Sequence, residues 1–208
     1  MSWHPEILGG RQERVLAQIG PVLSRRGFYL VGGTAVALHL GHRRSVYFDW
    51  FRSERIDPFE LAQELREEGI AFLTEDVAIG TLHGLVGGVR VSLIRHQYPL
   101  LAKLRTWRNG ILIASRADLA AMKLAAVAQR GAKKDFVDIY ALGQRSDSLR
   151  QMLRWYQEKF SVEDFAHLLR SLAYFDDAET ERLPRMLWPV NWRTMKATIQ
   201  QWLKNMPR

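Results

Sequence analysis

The chain contains no cysteine in its 208 residues, so it can form neither a disulfide nor a thiolate metal site, and it needs no oxidising compartment. No segment is apolar enough to cross a bilayer, and Met1-Ser2-Trp3-His4-Pro5-Glu6 lacks the basic stretch and apolar run of an export leader. A cytoplasmic protein without a membrane partner is the expectation. The histidines, His4, His39, His42, His83, His96 and His167, are scattered, and no pair has the spacing of a metal site. Internal repeats and low-complexity segments are also missing. Acidic residues are in deficit: 22 Asp and Glu against 30 Lys and Arg leave a net charge of +8, which suits an anionic partner such as a nucleotide or RNA.

What remains is a foldable chain, since 47% hydrophobic and 11% aromatic content excludes disorder. The length allows one ordinary domain or two small ones. Apolar residues at helical spacing predict a first helix over 10–23, with Pro21 as an early break. A buried strand is expected over 28–31, a short helix over 35–40, and a second strand over 46–51. Asp57-Pro58 opens a helix that ends near Glu68. Strands are expected over 71–75, 81–86 and 89–94, the last two joined by a tight Gly87-Gly88 turn. Beyond Leu112 the pattern becomes helical throughout, with helices over 115–129, 133–142, 147–160, 161–172 and 191–203. The expected fold is therefore α+β: a mixed α/β domain over 1–114 and a helical domain over 115–208 that packs over its cleft. Most of the seven tryptophans are assigned to core packing, with base stacking as the alternative use.

The chemistry concentrates in Gly32-Gly33-Thr34-Ala35 and the strand that follows. Glycines between a strand and a helix permit close backbone approach, and free amides at a helix start can hold phosphate. An ordinary tight connection would use the same pair. Asp49 lies sixteen positions after Gly33. Two carboxylates at alternating strand positions could hold magnesium between a triphosphate and an attacking hydroxyl, but the alternate position is Tyr47. Asp49 alone suits either a metal site or an ion pair with Arg43 or Arg44. Lys123 falls on the apolar stripe of Leu119, Met122, Ala126 and Val127, which favours a polar cleft over a lysine snorkelling to solvent. Asp135 and Asp138 share one side of the next helix start, where acids also favour the helix dipole. Asp135 could orient Lys123 or act as a base toward a hydroxyl.

Together these residues resemble the AbiEii/AbiGii-type nucleotidyltransferase toxin family, within the DNA polymerase β-like nucleotidyltransferase superfamily. The resemblance is carried by Gly32-Gly33-Thr34-Ala35, by Leu40-Gly41-His42-Arg43-Arg44-Ser45 leading to Asp49 and Phe51, by Lys123-Leu124, and by Lys134-Asp135-Phe136-Val137-Asp138-Ile139-Tyr140. Tyr174-Phe175-Asp176-Asp177 is also typical of one branch. It implies a nucleotidyltransferase-like mixed sheet with flanking helices, followed by a helical half. It further implies transfer of a nucleotide from a nucleoside triphosphate to an RNA such as tRNA, with Mg2+, by the toxin of a toxin–antitoxin pair. By the same likeness Gly32, Gly33, Thr34, Arg43, Arg44 and Ser45 form the nucleotide-binding set, Asp49 binds the metal, and Lys123 and Asp135 complete the catalytic site. The chain departs from the pattern at Tyr47 and at Ser92, where carboxylates are usual. A degenerate relative that binds nucleotide or RNA without transfer is the second reading. A protein-interaction module is the third.

Overall fold

Tyr29, Leu30 and Val31, all buried, make the short strand on which the arrangement turns. The structure is a computed structural model and describes residues 2–145 and 147–206. Along the chain lie α1 (Gly10–Arg25), β1 (Tyr29–Val31), α2 (Gly32–Leu40), β2 (Phe48–Arg52), α3 (Pro58–Glu67), β3 (Phe72–Ala78), β4 (Thr81–Val86) and β5 (Val89–Arg95). They are followed by β6 (Arg105–Thr106), β7 (Leu112–Ile113), α4 (Arg116–Arg130), α5 (Lys133–Gln144), α6 (Leu149–Phe160), α7 (Ala166–Ala173), α8 (Asp176–Glu179) and α9 (Trp192–Lys204).

The strands form one mixed sheet in the order β3-β4-β5-β2-β1-β7-β6. β2 runs antiparallel to β1, with Val31 opposite Asp49, and parallel to β5, with Asp49 opposite Ser92. Alternation then separates the side chains of β2 and β5 by face. Phe48, Trp50, Val91 and Leu93 are buried, whereas Asp49, Phe51, Ser92 and Ile94 are only partly covered. Val91 and Leu93 pack with Ile19 and Leu23 of α1 and Leu65 of α3. Across the other face lie α4 and α6. One continuous hydrophobic core extends from Ile7 to Ile199, crossing the expected boundary between 114 and 115.

Several local expectations are corrected. Pro21 does not end α1, because Ile19 and Leu23 on either side of it are buried and their packing outweighs the roughly 3 kcal/mol cost of an interior proline. α2 starts at Gly32, directly at the end of β1, rather than at Ala35. The chain past Leu112 is not helical throughout, since Leu112–Ile113 forms β7 and pairs with β1 at Leu30. Two residues are too few to show a strand period. The helix expected from Ser161 starts at Ala166, because Ser161 adopts φ 52° and closes α6 instead. The Gly87-Gly88 hairpin is present, with both residues at positive φ, 56° and 75°.

The C-terminal segment ties back onto the N-terminal half. Arg44 N donates to Arg185 O at 2.9 Å, and Leu187 N donates to His42 O at 2.8 Å. Residues 185–188 thereby hold the loop that carries His42 and Arg43.

Candidate active site

A cleft of about 520 Å³ opens between the partly covered face of β2 and β5 and the helices α4 and α6. Gly32 and Asp49 form part of its floor, while Lys123 and Arg130 enter from α4. The volume is in the range of small-molecule sites, roughly 300–1,000 Å³. A larger hollow of about 610 Å³ near Phe59 and Ile79 has one carboxylate, Asp57, and that group caps α3 through the Phe59 and Glu60 amides. It offers no comparable chemistry.

The turn from β1 to α2 places Asp49. Gly32 has φ 66°, and a Cβ there would overlap Asp49 Oδ2, so both conformation and space require glycine. Val31, at the N-cap of α2, gives no side-chain hydrogen bond to the first-turn amides. Such a helix start keeps donors free for an anion. Asp49 itself has no side-chain hydrogen bond or ion pair among the described residues; Arg130, which senses its charge, bonds to Asp135 instead. The pairing of Asp49 with Arg43 or Arg44 that the sequence left open is thus not formed.

Behind the cleft lies a buried ionic network. Asp138 receives Arg43 Nε at 2.7 Å and Arg43 Nη2 at 2.8 Å, together with His42 Nε2 at 2.7 Å. The Lys123 ammonium lies 2.7 Å from Asp138 Oδ2 and 2.9 Å from Asp135 Oδ1. Arg130 donates Nε and Nη2 to Asp135 at 2.7 and 3.0 Å. Burial alone would raise the carboxyl of Asp138, but Arg43 and Lys123 outweigh it and hold the group well below its ordinary value. Burial likewise opposes ionisation of Asp135, and Lys123 and Arg130 overcome it. For Lys123, burial favours the neutral amine, yet Asp138 and Asp135 hold the pKa above its usual value. Desolvation keeps the His42 imidazole down despite Asp138, so the ring is neutral and donates through Nε2. Three cations against two carboxylates leave one positive charge facing Asp49.

The expected residues therefore fall into two groups. Gly32, Asp49 and Lys123 line the cleft together. Asp135 is fully buried behind it, saturated by cations. Gly33, Thr34, Arg43, Arg44 and Ser45 are not among the lining residues. Arg43 packs against Gly33 and spends its remaining Nη1 on Arg44 O at 3.0 Å. The Thr34 hydroxyl is 2.8 Å from Ser45 Oγ and also bonds to Tyr47 O, which fixes the approach to β2. Tyr47 precedes the strand, half-exposed, with Arg90 of β5 6.0 Å from its ring. β1 has already ended at Val31 and offers it no partner. Ser92 sits beside Asp49 and contacts His83 Nδ1 at 3.0 Å.

Arg130 was not singled out from the sequence, although the stripe Leu119, Met122, Lys123, Ala126 continues to it at helical spacing. His42 and Phe51 entered only within the motifs that carry the resemblance, without a role, and the aromatic lining residues Tyr98, Tyr156 and Phe160 escaped, because neither their spacing nor their type distinguishes them from packing residues. Among the described residues no group of three or more His, Cys, Asp or Glu could hold a metal ion. Magnesium commonly binds through one or two carboxylates while substrate phosphates and water complete its shell. Asp49 fits that mode as a single ligand to an ion arriving with a triphosphate, and a metal cage made by the protein alone does not fit. No helix is long and apolar enough to cross a membrane among the described residues.

Comparison with known proteins places the chain in a family and a fold. The family described as "Nucleotidyl transferase AbiEii toxin, Type IV TA system" matches residues 84–205, a span that includes Lys123, Arg130, Asp135 and Asp138 but stops short of Gly32 and Asp49. An uncharacterised protein of Aquifex aeolicus, aq_aa25, is 32% identical over 185 residues, covering 86% of this chain and 89% of that protein. The MenT4 nucleotidyltransferase toxin of Mycobacterium tuberculosis superposes with a TM-score of 0.64 at 13% identity, over 94% of this chain and 83% of its own. JHP933 of Helicobacter pylori superposes with a TM-score of 0.57 at 14% identity, over 98% and 92% of the two chains. At such identities the structural likeness establishes a shared nucleotidyltransferase fold.

Proposed function

Because this chain belongs to the AbiEii nucleotidyl transferase toxin family, we propose that it transfers a nucleotide from a nucleoside triphosphate to an RNA, with tRNA as the acceptor. The observation that carries the reading is the Asp49 carboxylate on the cleft floor, unpaired among the described residues, with Lys123 and Arg130 lining the same cleft beside the open start of α2. In this reading the phosphates rest against the start of α2 at Gly32 and the positive charge of Lys123 and Arg130. The acceptor hydroxyl attacks the α-phosphorus, the bond to the bridging oxygen of pyrophosphate breaks, and pyrophosphate leaves. Asp49 orients that hydroxyl and accepts its proton. Magnesium, when bound through Asp49 and the phosphates, supplies charge neutralisation at the phosphoryl oxygens. Asp135 and Asp138 hold Lys123, Arg130 and Arg43 in place; saturated and depressed in pKa, Asp135 is a positioning residue rather than a base. Gly33, Thr34, Arg44 and Ser45 shape the path from α2 to β2. The net charge of +8 suits an RNA acceptor. The same reading places the protein in the cytoplasm as the toxin partner of an antitoxin.

The test is incubation of the purified protein with Mg2+, each labelled nucleoside triphosphate and bulk tRNA. Label should enter the RNA with wild-type protein and not with Asp49→Ala. A second reading, nucleotide binding without transfer, is favoured by the lack of a carboxylate at Tyr47 and at Ser92. It predicts label only after Tyr47→Asp or Ser92→Asp.

A further inference from the structure

The cleft is chemically asymmetric. At one end stand Gly32, Asp49, Lys123 and Arg130; the other end is aromatic. Phe51 follows Asp49 on the same face of β2, about 7 Å further along. Its ring stacks on His96 with centroids 4.4 Å apart and planes 25° apart. His96 leads to Tyr98 at 5.2 Å, and Tyr98 meets Phe160 edge-on at 4.7 Å. Burial keeps the His96 imidazole neutral, with a pKa of about 4, so this wall carries no charge. The His96 Nε2 is buried without a hydrogen-bond partner among the described residues.

Tyr98 differs from the rings of Phe51, His96 and Phe160 in being 49% exposed, on a segment outside helix and strand. That segment is nonetheless fixed. The fully buried Lys159 of α6 donates to Pro99 O at 2.7 Å and to Asp118 Oδ1 at 2.8 Å, and Leu101 N donates to the same Asp118 oxygen at 2.9 Å. A buried ion pair thus anchors the backbone just past an exposed aromatic ring, and on its other side His96 N donates to Arg52 O of β2 at 2.8 Å. An aromatic held in place and left uncovered at the edge of a cavity is a preorganised stacking surface.

We infer that the aromatic end of the cleft is a nucleobase subsite, in which the base stacks on Tyr98 with His96 and Phe160 behind it. The inference rests on the nucleotide reading of the phosphate end and adds to it the residues that recognise the base. A base is the occupant that fits, because the wall begins one strand step beyond Asp49, leaving space for a ribose between the phosphate end and the rings.

The test is equilibrium binding of the full chain to ATP, GTP, CTP and UTP separately, with inorganic tripolyphosphate as the baseless probe. The best nucleotide should bind more tightly than tripolyphosphate by about five- to a hundredfold, the range of a single stacked base. Tyr98→Ala should erase that advantage and leave tripolyphosphate affinity unchanged, which also shows that the variant is folded. Tyr98→Trp should retain it. If Tyr98→Ala keeps the full nucleotide advantage, or if the wild type binds tripolyphosphate as tightly as every nucleotide, the subsite is overturned while the phosphate end stands. Failure of the wild type to bind any of the five ligands overturns both.

Discussion

Arg43 grips Asp138 through two parallel hydrogen bonds of 2.7 and 2.8 Å, joining residues 95 positions apart in the buried space behind the cleft. Arg43 comes from the loop between α2 and β2, Asp138 from α5. The pair fastens the sheet half of the molecule to the helical half, and Lys123 and His42 share the same carboxylate. Asp138→Asn removes the only full negative charge in contact with Arg43 among the described residues. Losing one partner of a buried pair costs about 3–5 kcal/mol. Chemical denaturation of the variant should show a loss of that size, and a change below about 1 kcal/mol would mean that the network contributes little to holding the halves together.

Acid should weaken the protein in two separate stages. The imidazoles of His39 and His96 are held down at about 4 by burial, against an ordinary 6.5. Between those values the unfolded chain binds protons that the native chain does not, so stability is full above pH 6.5 and falls until about pH 4. Asp135 and Asp138, held below their ordinary 3.8, keep their contribution through this window and lose it only at lower pH. Urea midpoints measured from pH 7 to 4.5 should therefore decline, and His39→Gln should flatten the decline. A flat profile in the wild type would show that these imidazoles titrate freely in the native state.

Arg130 separates binding from folding because its side chain is 55% exposed. Asp135 retains Lys123 when Arg130 is lost, so Arg130→Gln should leave the melting temperature within a few degrees of wild type. Loss of a charge-assisted contact to phosphate should weaken triphosphate binding by about tenfold. Calorimetric titration with tripolyphosphate reads this directly, and unchanged affinity would remove Arg130 from the phosphate end.

Ser92 is the position where a second carboxylate would stand beside Asp49, given their pairing across β2 and β5. Ser92→Asp should tighten Mg2+-dependent nucleotide binding by about an order of magnitude relative to wild type. The measurement is nucleotide affinity as a function of Mg2+ concentration. Equal Mg2+ dependence in the two proteins would mean that this strand face does not hold the ion.

Much of the fold was legible where one residue type forces local geometry. Asp57-Pro58 and Ser115 marked helix starts, and Gly87-Gly88 marked the hairpin. β6 and β7 were not legible, because two-residue strands are set by their partners and leave no period. Lys123 was detected by its conflict with an apolar stripe, and the conflict is resolved by Asp135 and Asp138. The position of Arg43 could not be foreseen: a basic residue next to a glycine turn suggests a phosphate ligand, whereas here its donors are consumed by a carboxylate 95 residues away. Tyr98 was invisible for the same reason, since its anchors Asp118 and Lys159 are distant in sequence.

Among the described residues the Asp49 carboxylate is outside every ion pair, so Asp49→Asn should alter chemistry without altering stability. With labelled nucleoside triphosphate, Mg2+ and tRNA under single-turnover conditions, the wild type should label the RNA. Asp49→Asn should slow the reaction by at least about a hundredfold at an unchanged melting temperature. Transfer by Asp49→Asn at the wild-type rate would contradict the assignment of the cleft as the site of transfer.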